Sequence, residues 1–496
     1  MGSANKAFNG MVWSVVVNLV AAVYGFIATP LLIRYFGRPE YGLISLATSI
    51  NAYMGLMDMG LSSTNVRFFS NWIAKGNTEK VNKLMQTCTA FYGGIGLINA
   101  AVLLVVSIFS SQIFNVNPEQ DVILKQMLWA LMIVAIINWY TSCFGQLISA
   151  TENVAWVQKR ILVTKLLMVA VVIITLVLQL TIVQYFILTL LASLVVLPAT
   201  IRKVMRETPF VSLRAKFDKS TFKEILPYTF NIFSFGIFQF SYNNLRPVIL
   251  GMRGTVEALT DHGVIASIAA LVSMVSGIFI GALLPASSRI VANGDTENYY
   301  RLAYKGTHFV TIVLCFCAFG LMSIDRDLMM IYVGADFMHM ILWLNVWLLL
   351  TITGNVSCIS SLIFAGTNIK PLTYSSFAAS IAGLIACWFA VPYFQAGGAV
   401  IAMIVYNFVQ QIFYYTYYWP RILHIDSWRI FTHTDMPFLL LGFFLVLIIN
   451  YLPHFDSHWI NVFVFGVGFA SVYICCTLIL MSKEDKEFVF GLICKK

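Results

Sequence analysis

Runs of about 20 apolar residues recur along this 496-residue chain from one end to the other, and they decide what it can fold into. A hydrocarbon layer about 30 Å thick takes roughly 20 residues of α-helix to cross. Inside it every backbone amide and carbonyl must be satisfied within the protein. With 59% of residues hydrophobic and 11% charged, a water-soluble globular domain of this length is excluded. The sequence therefore predicts an all-α integral membrane protein of about 14 transmembrane helices. The spans are 11–33, 41–64, 85–109, 124–150, 161–180, 182–201, 225–250, 263–288, 306–324, 338–366, 371–393, 397–419, 436–452 and 458–481.

Lysines and arginines orient these spans. If the amino terminus is cytoplasmic, the only ones falling outside or near outer helix ends are Arg34, Arg38, Lys125, Arg253 and Arg326, with Arg246 within a span. All the rest of the 31 lie in inner segments, which predicts both termini in the cytoplasm. The same bias accounts for the net charge of +9 through contact with anionic membrane lipids, so no nucleic-acid partner is expected.

The nine cysteines have no ligand histidines at metal-site spacing, and no glycine-rich phosphate loop or Walker lysine is present. No cofactor, metal or catalytic residue is expected.

The chain also matches itself. "AKGNTEKVNKL" (74–84) aligns with "ANGDTENYYRL" (292–302), and "LISATEN" (147–153) aligns with "LIFAGTN" (362–368), at nearly the same offset. The offset spans six helices, an even number, so the expected halves are two parallel six-helix repeats around a central cavity. The expected domains are a first bundle at 1–203, a basic cytoplasmic linker at 204–224 and a second bundle at 225–434. Two further helices and a cytoplasmic tail follow at 435–496.

"LLIRYFGRPEYGLISLATSINAYMGLMDMGLSSTNVRFFS" (31–70), "LLPASSRIVANGD" (283–295), "LIFAGTNIKPLTY" (362–374) and "GGAVIAMIVYNF" (397–408) resemble the polysaccharide-transporter branch, O-antigen flippases included, of the superfamily that also holds the multidrug and toxic-compound extrusion transporters. The resemblance implies a flippase rather than an enzyme. It would export a polyprenyl-pyrophosphate-linked oligosaccharide, a repeat unit of O-antigen, capsule or exopolysaccharide, across a bacterial cytoplasmic membrane by alternating access. A polysaccharide polymerase and glycosyltransferases of the same pathway would be its partners. A lipid II flippase, or a cation-coupled multidrug or metabolite antiporter, is the alternative. An antiporter should carry cavity carboxylates, and the spans of helices one, seven and eight contain none.

Such a substrate needs a polar, cationic cavity. Asparagine, glutamine and aromatic side chains suit sugars, by hydrogen bonding and by stacking. The candidates are Asn18, Asn51, Asn138, Gln239, Tyr242, Asn243 and Asn244, for each of which an interhelical hydrogen bond is the competing role. Gln239, Tyr242, Asn243 and Arg246 fall at i, i+3, i+4 and i+7, one stripe of helix seven. Arg246 is the expected pyrophosphate ligand, with snorkelling to the outer interface as its competing role. Pro247 should draw Arg246 out of helical geometry. Asp58 is either an ion-coupling site or the counter-charge of Arg67. The family pattern carries an acidic residue at this position, which favours the structural role.

Overall fold

The structure, a computed structural model, describes residues 3–58, 60–151, 153–364 and 370–481. Residues 365–368 of the second repeat match and the tail from 482 onward lie outside the described residues. The described residues form helices and no strand, and twelve of the helices are long and apolar enough to cross a membrane. These twelve coincide with spans read from the sequence. The remaining two, 41–64 and 225–250, depart from a simple crossing.

The 41–64 segment is divided. A helix over Arg38–Tyr53 passes into a 3-10 turn over Met54–Asp58, and a second helix starts at Leu61 and ends at Ala74. Gly60 joins them at φ +76°. That left-handed conformation costs a residue with a Cβ about 1–2 kcal/mol and is open to glycine. The 225–250 segment lies within a single 35-residue helix, Lys219–Arg253. Its first turn is satisfied by the Asp218 side chain, which accepts from the Ser220 and Thr221 amides. The helix continues through Pro247, so Arg246 stays helical, contrary to expectation. Proline is tolerated inside membrane helices where neighbouring groups and small backbone adjustments satisfy what it frees.

Local chemistry places the other boundaries. The Pro118–Ala150 helix opens with a capping box between Asn117 and Gln120 and with proline in its first turn. The helix expected to begin at 263 begins instead at Val256, where the Thr255 hydroxyl accepts from the Ala258 amide. Asp261 and His262, read from the sequence as loop, are therefore helical and buried.

The chain divides into two compact units, residues 1–267 with 370–406, and 268–369 with 407–496. They are drawn by packing rather than by sequence repeat, and neither follow nor test the boundaries at 203, 224 and 434. In the first unit the helices Leu61–Ala74, Thr78–Ile108 and Pro118–Ala150 enclose Phe69, Trp72, Tyr92, Phe144 and Leu147. The Lys219–Arg253 helix packs in this unit against Arg38–Tyr53 and Lys370–Phe394. Small residues make that approach possible. A Cβ on Gly251 would sit 2.6 Å from Leu46, and one on Gly383 would sit 2.7 Å from the Tyr242 ring.

The second unit packs the helices Thr307–Met322, Ile341–Ile352, Met436–Tyr451 and His458–Leu480. A Cβ on Gly442 would overlap the Phe319 ring. Three π-helical stretches interrupt this unit, at Leu302–Gly306, Tyr414–Leu423 and Phe431–Asp435. The tyrosine-rich stretch at the end of helix twelve is partly interior: Tyr418 and Trp419 are fully buried, and Trp419 lies parallel to the Tyr414 ring. In both units large apolar side chains such as Leu97, Val177, Phe463 and Ile479 remain outward, as a lipid solvent permits.

Candidate functional site

Arg246 is the only lysine or arginine buried among the described residues, at 6% exposure. Its guanidinium lies 4.7 Å over the Tyr242 ring, one turn earlier on the same helix, and Nη2 donates to Asn243 Oδ1 at 3.3 Å. The Tyr242 ring is in turn stacked on Tyr406, centroids 4.1 Å apart and 11° from parallel. Tyr242 thus packs against both the guanidinium and a second phenol. Gly383 supports this packing by leaving room beside Tyr242. His262 and Cys387 lie within electrostatic reach of the guanidinium. A guanidinium packed over an aromatic ring keeps its N–H donors at its rim, where two parallel donors match two oxygens of a phosphate.

The expected stripe splits on folding. Gln239 and Asn243 are exposed, whereas Tyr242 and Arg246 are buried. Asn244, half-buried, donates to the Phe240 carbonyl of its own helix at 2.9 Å. The other asparagines are scattered over the first unit. Asn18 is exposed. Asn51 accepts from Asn99 at 3.4 Å, and exposed Asn138 donates to Ser193 at 3.4 Å. For Asn51 and Asn138 these are hydrogen bonds between helices.

Asp58 ends the 3-10 turn and is held by neutral donors. Oδ1 accepts from the Tyr92 hydroxyl at 2.6 Å and Oδ2 from the Ser62 amide at 3.3 Å, so Asp58 caps the helix that follows the break. The network runs inward: Gln146 donates to the Tyr92 hydroxyl at 3.0 Å, Asn65 to Gln146 at 2.8 Å, and the Cys88 thiol to Asn65 at 3.1 Å. Tyr92 and Ser62 thus hold Asp58 as neutral donors.

Two charged groups escaped the sequence reading. Arg38 grips Asp261 within the first unit, which also corrects the absence of carboxylates from helix eight. Asp435 lies buried in the second unit. Neither carried a usable local signal, because Asp261 sat beyond an apolar run whose start was set too late, and Asp435 immediately preceded one.

Solved structures share this fold. The lipid II flippase MurJ, in an inward closed conformation, superposes with a TM-score of 0.72 at 12% identity, covering 94% of this chain and 98% of its own. An inward-facing multidrug resistance MATE family transporter of the MOP superfamily gives 0.60 at 12% identity, covering 89% and 100%. The MATE multidrug transporter DinF-BH gives 0.53 at 16% identity, covering 84% and 95%. The fold is thus the one these transporters and this flippase share. The chain belongs to the polysaccharide biosynthesis protein family, whose model matches residues 7–291. No curated protein sequence matches it.

Proposed function

We propose that this protein is a flippase for a polyprenyl-pyrophosphate-linked oligosaccharide in the cytoplasmic membrane of a bacterium, with Arg246 as the pyrophosphate ligand. The observation that carries the reading is the buried guanidinium itself. A buried cation in an apolar helix of a membrane protein is costly and is rarely kept without a role. Here it is kept on a stack of aromatic rings, with Asn243 and Gln239 beside it on the same helix as sugar-facing groups. Since Arg246 is covered in this structure, substrate reaches it only after a rearrangement, as alternating access requires. Asn18, Asn51, Asn138 and Asn244 are secondary contacts on this reading, and Asp58 is structural.

Outward export of a headgroup with two negative charges through an inside-negative potential gains about 4.6 kcal/mol per 100 mV, at about 2.3 per charge. No ATP is needed. The test is reconstitution in proteoliposomes with a labelled polyprenyl-pyrophosphate oligosaccharide, under an imposed potential without ATP. Exposure of inner-leaflet label to outside reagents when an inside-negative potential is imposed supports the proposal, and a strict requirement for ATP at zero potential refutes it. The fold likeness to the lipid II flippase motivates a second arm with lipid II as substrate. Movement of lipid II alone would transfer the protein to that reading.

A further inference from the structure

Asp435 is 5% exposed in the second unit, within a membrane-spanning stretch, and no lysine, arginine or histidine among the described residues pairs with it. Its partners are neutral and come from three distant segments. Oδ2 accepts from the Tyr415 hydroxyl at 2.6 Å, and Oδ1 from Asn355 Nδ2 at 2.7 Å and from the Thr311 hydroxyl at 3.3 Å. An uncompensated carboxylate in such a place is costly as an anion, so membrane proteins keep one chiefly where its charge changes.

The backbone is irregular at three of the four contributing residues. Asp435 closes the π stretch Phe431–Asp435, and Tyr415 lies in the π stretch Tyr414–Leu423. Asn355 sits in the 3-10 turn Thr353–Val356, while Thr311 lies in the α-helix Thr307–Met322. Such π bulges concentrate at functional sites, and their convergence on one carboxylate is independent of its burial.

We propose that Asp435, with Thr311, Asn355 and Tyr415, is a proton-binding site. The hydrogen bonds already present provide for both protonation states. Besides facing Asp435, the Thr311 hydroxyl can donate to the Thr307 carbonyl at 2.9 Å, and its oxygen accepts from Asn355 Nδ2 at 2.9 Å. When a proton binds Asp435 Oδ1, the Thr311 hydroxyl turns wholly to the Thr307 carbonyl and its oxygen takes the new acid proton. One proton is gained, and no other group has to give one up. The titratable groups facing Asp435 are Tyr415 from the helix-twelve end and Cys315 from the Thr307–Met322 helix. His308 packs on Phe438 one turn along, His433 bonds Thr432, and Arg429 lies over Tyr304.

Proton binding rests on this geometry alone, while its use to drive export rests also on the function proposed above. Infrared titration of the full-length protein in lipid tests the first without any substrate. The wild type should gain a protonated-carboxyl C=O band on acidification that is missing in Asp435→Asn. Tyr415→Phe, which keeps the carboxyl but removes a donor, should show the band at a different pH, and serves if Asp435→Asn does not insert. An identical titration in wild type and Asp435→Asn, or in wild type and Tyr415→Phe, overturns the proposal. So does a band that follows replacement of choline by sodium at constant pH, which would make this a sodium site.

Discussion

The Arg38 guanidinium holds Asp261 with two parallel hydrogen bonds, Nε to Oδ1 at 2.9 Å and Nη2 to Oδ2 at 2.5 Å, while the Thr260 hydroxyl donates to the Arg38 carbonyl at 2.5 Å. The two ends of the pair are unequal: the Asp261 side chain is 4% exposed and that of Arg38 29%. Arg38→Ala leaves a buried carboxylate behind, a change that costs roughly 3 kcal/mol or more, whereas Asp261→Asn leaves an arginine able to reach solvent. Thermal unfolding in detergent should therefore fall further for Arg38→Ala than for Asp261→Asn. The reverse order would mean that the pair does not bear on stability in this way.

For Arg246, alanine substitution should abolish transport of the pyrophosphate-linked substrate with normal membrane insertion. Lysine should restore it only in part, because it keeps the charge but neither the fork nor the guanidinium's packing over Tyr242. Unimpaired transport by Arg246→Ala at normal protein levels would leave the guanidinium with no substrate role.

Gly383→Ala probes the same stack from below. Its new Cβ would lie 2.7 Å from the Tyr242 ring and 3.2 Å from the Ala402 carbonyl oxygen, so the ring must shift and carry the guanidinium with it. Substrate affinity should drop while Gly25→Ala, which meets nothing within 4 Å, is neutral. Equal binding by the two variants in a fluorescence or calorimetric titration would show that the stack tolerates displacement.

Tyr92→Phe and Asp58→Asn should each destabilise the first unit, by about 1–3 kcal/mol for a buried group left unpaired. Because both act on one network, the double variant should cost less than the sum. Additive losses in a double-mutant cycle would show that the two residues act independently.

Asp218 gives a pH test outside the membrane spans. The Thr221 hydroxyl, then the Thr221 amide, hold its carboxyl below the ordinary range. A depressed folded pKa contributes stability above the unfolded value, and that contribution disappears as pH falls through the folded value. The stability difference between wild type and Asp218→Ala should accordingly be present at neutral pH and vanish in acid. A difference that persists unchanged in acid would assign the effect to helix propensity instead.

The sequence by itself determined that the chain is a bundle of membrane helices and where twelve of them lie. This is a local matter: a backbone in hydrocarbon must satisfy its own hydrogen bonds, so some 20 apolar residues commit to a helix whatever they later touch. It also marked Arg246, because a cation within an apolar run is conspicuous, and it brought Gln239, Tyr242 and Asn243 onto the same helix face by spacing alone. Tertiary structure decided the rest. Tyr406 comes under Tyr242 from more than a hundred and sixty positions away, and the burial of Tyr242 and Arg246 beside exposed Gln239 and Asn243 depends on which helix lies against which side. The break at Gly60 depends on a backbone angle that composition does not encode. Thr311, Asn355, Tyr415 and Asp435 look unremarkable in their own segments. Only packing brings their side chains within hydrogen-bonding distance, since interior contacts in a membrane are chosen by shape and polarity between distant helices, not by the hydrophobicity that makes each helix form.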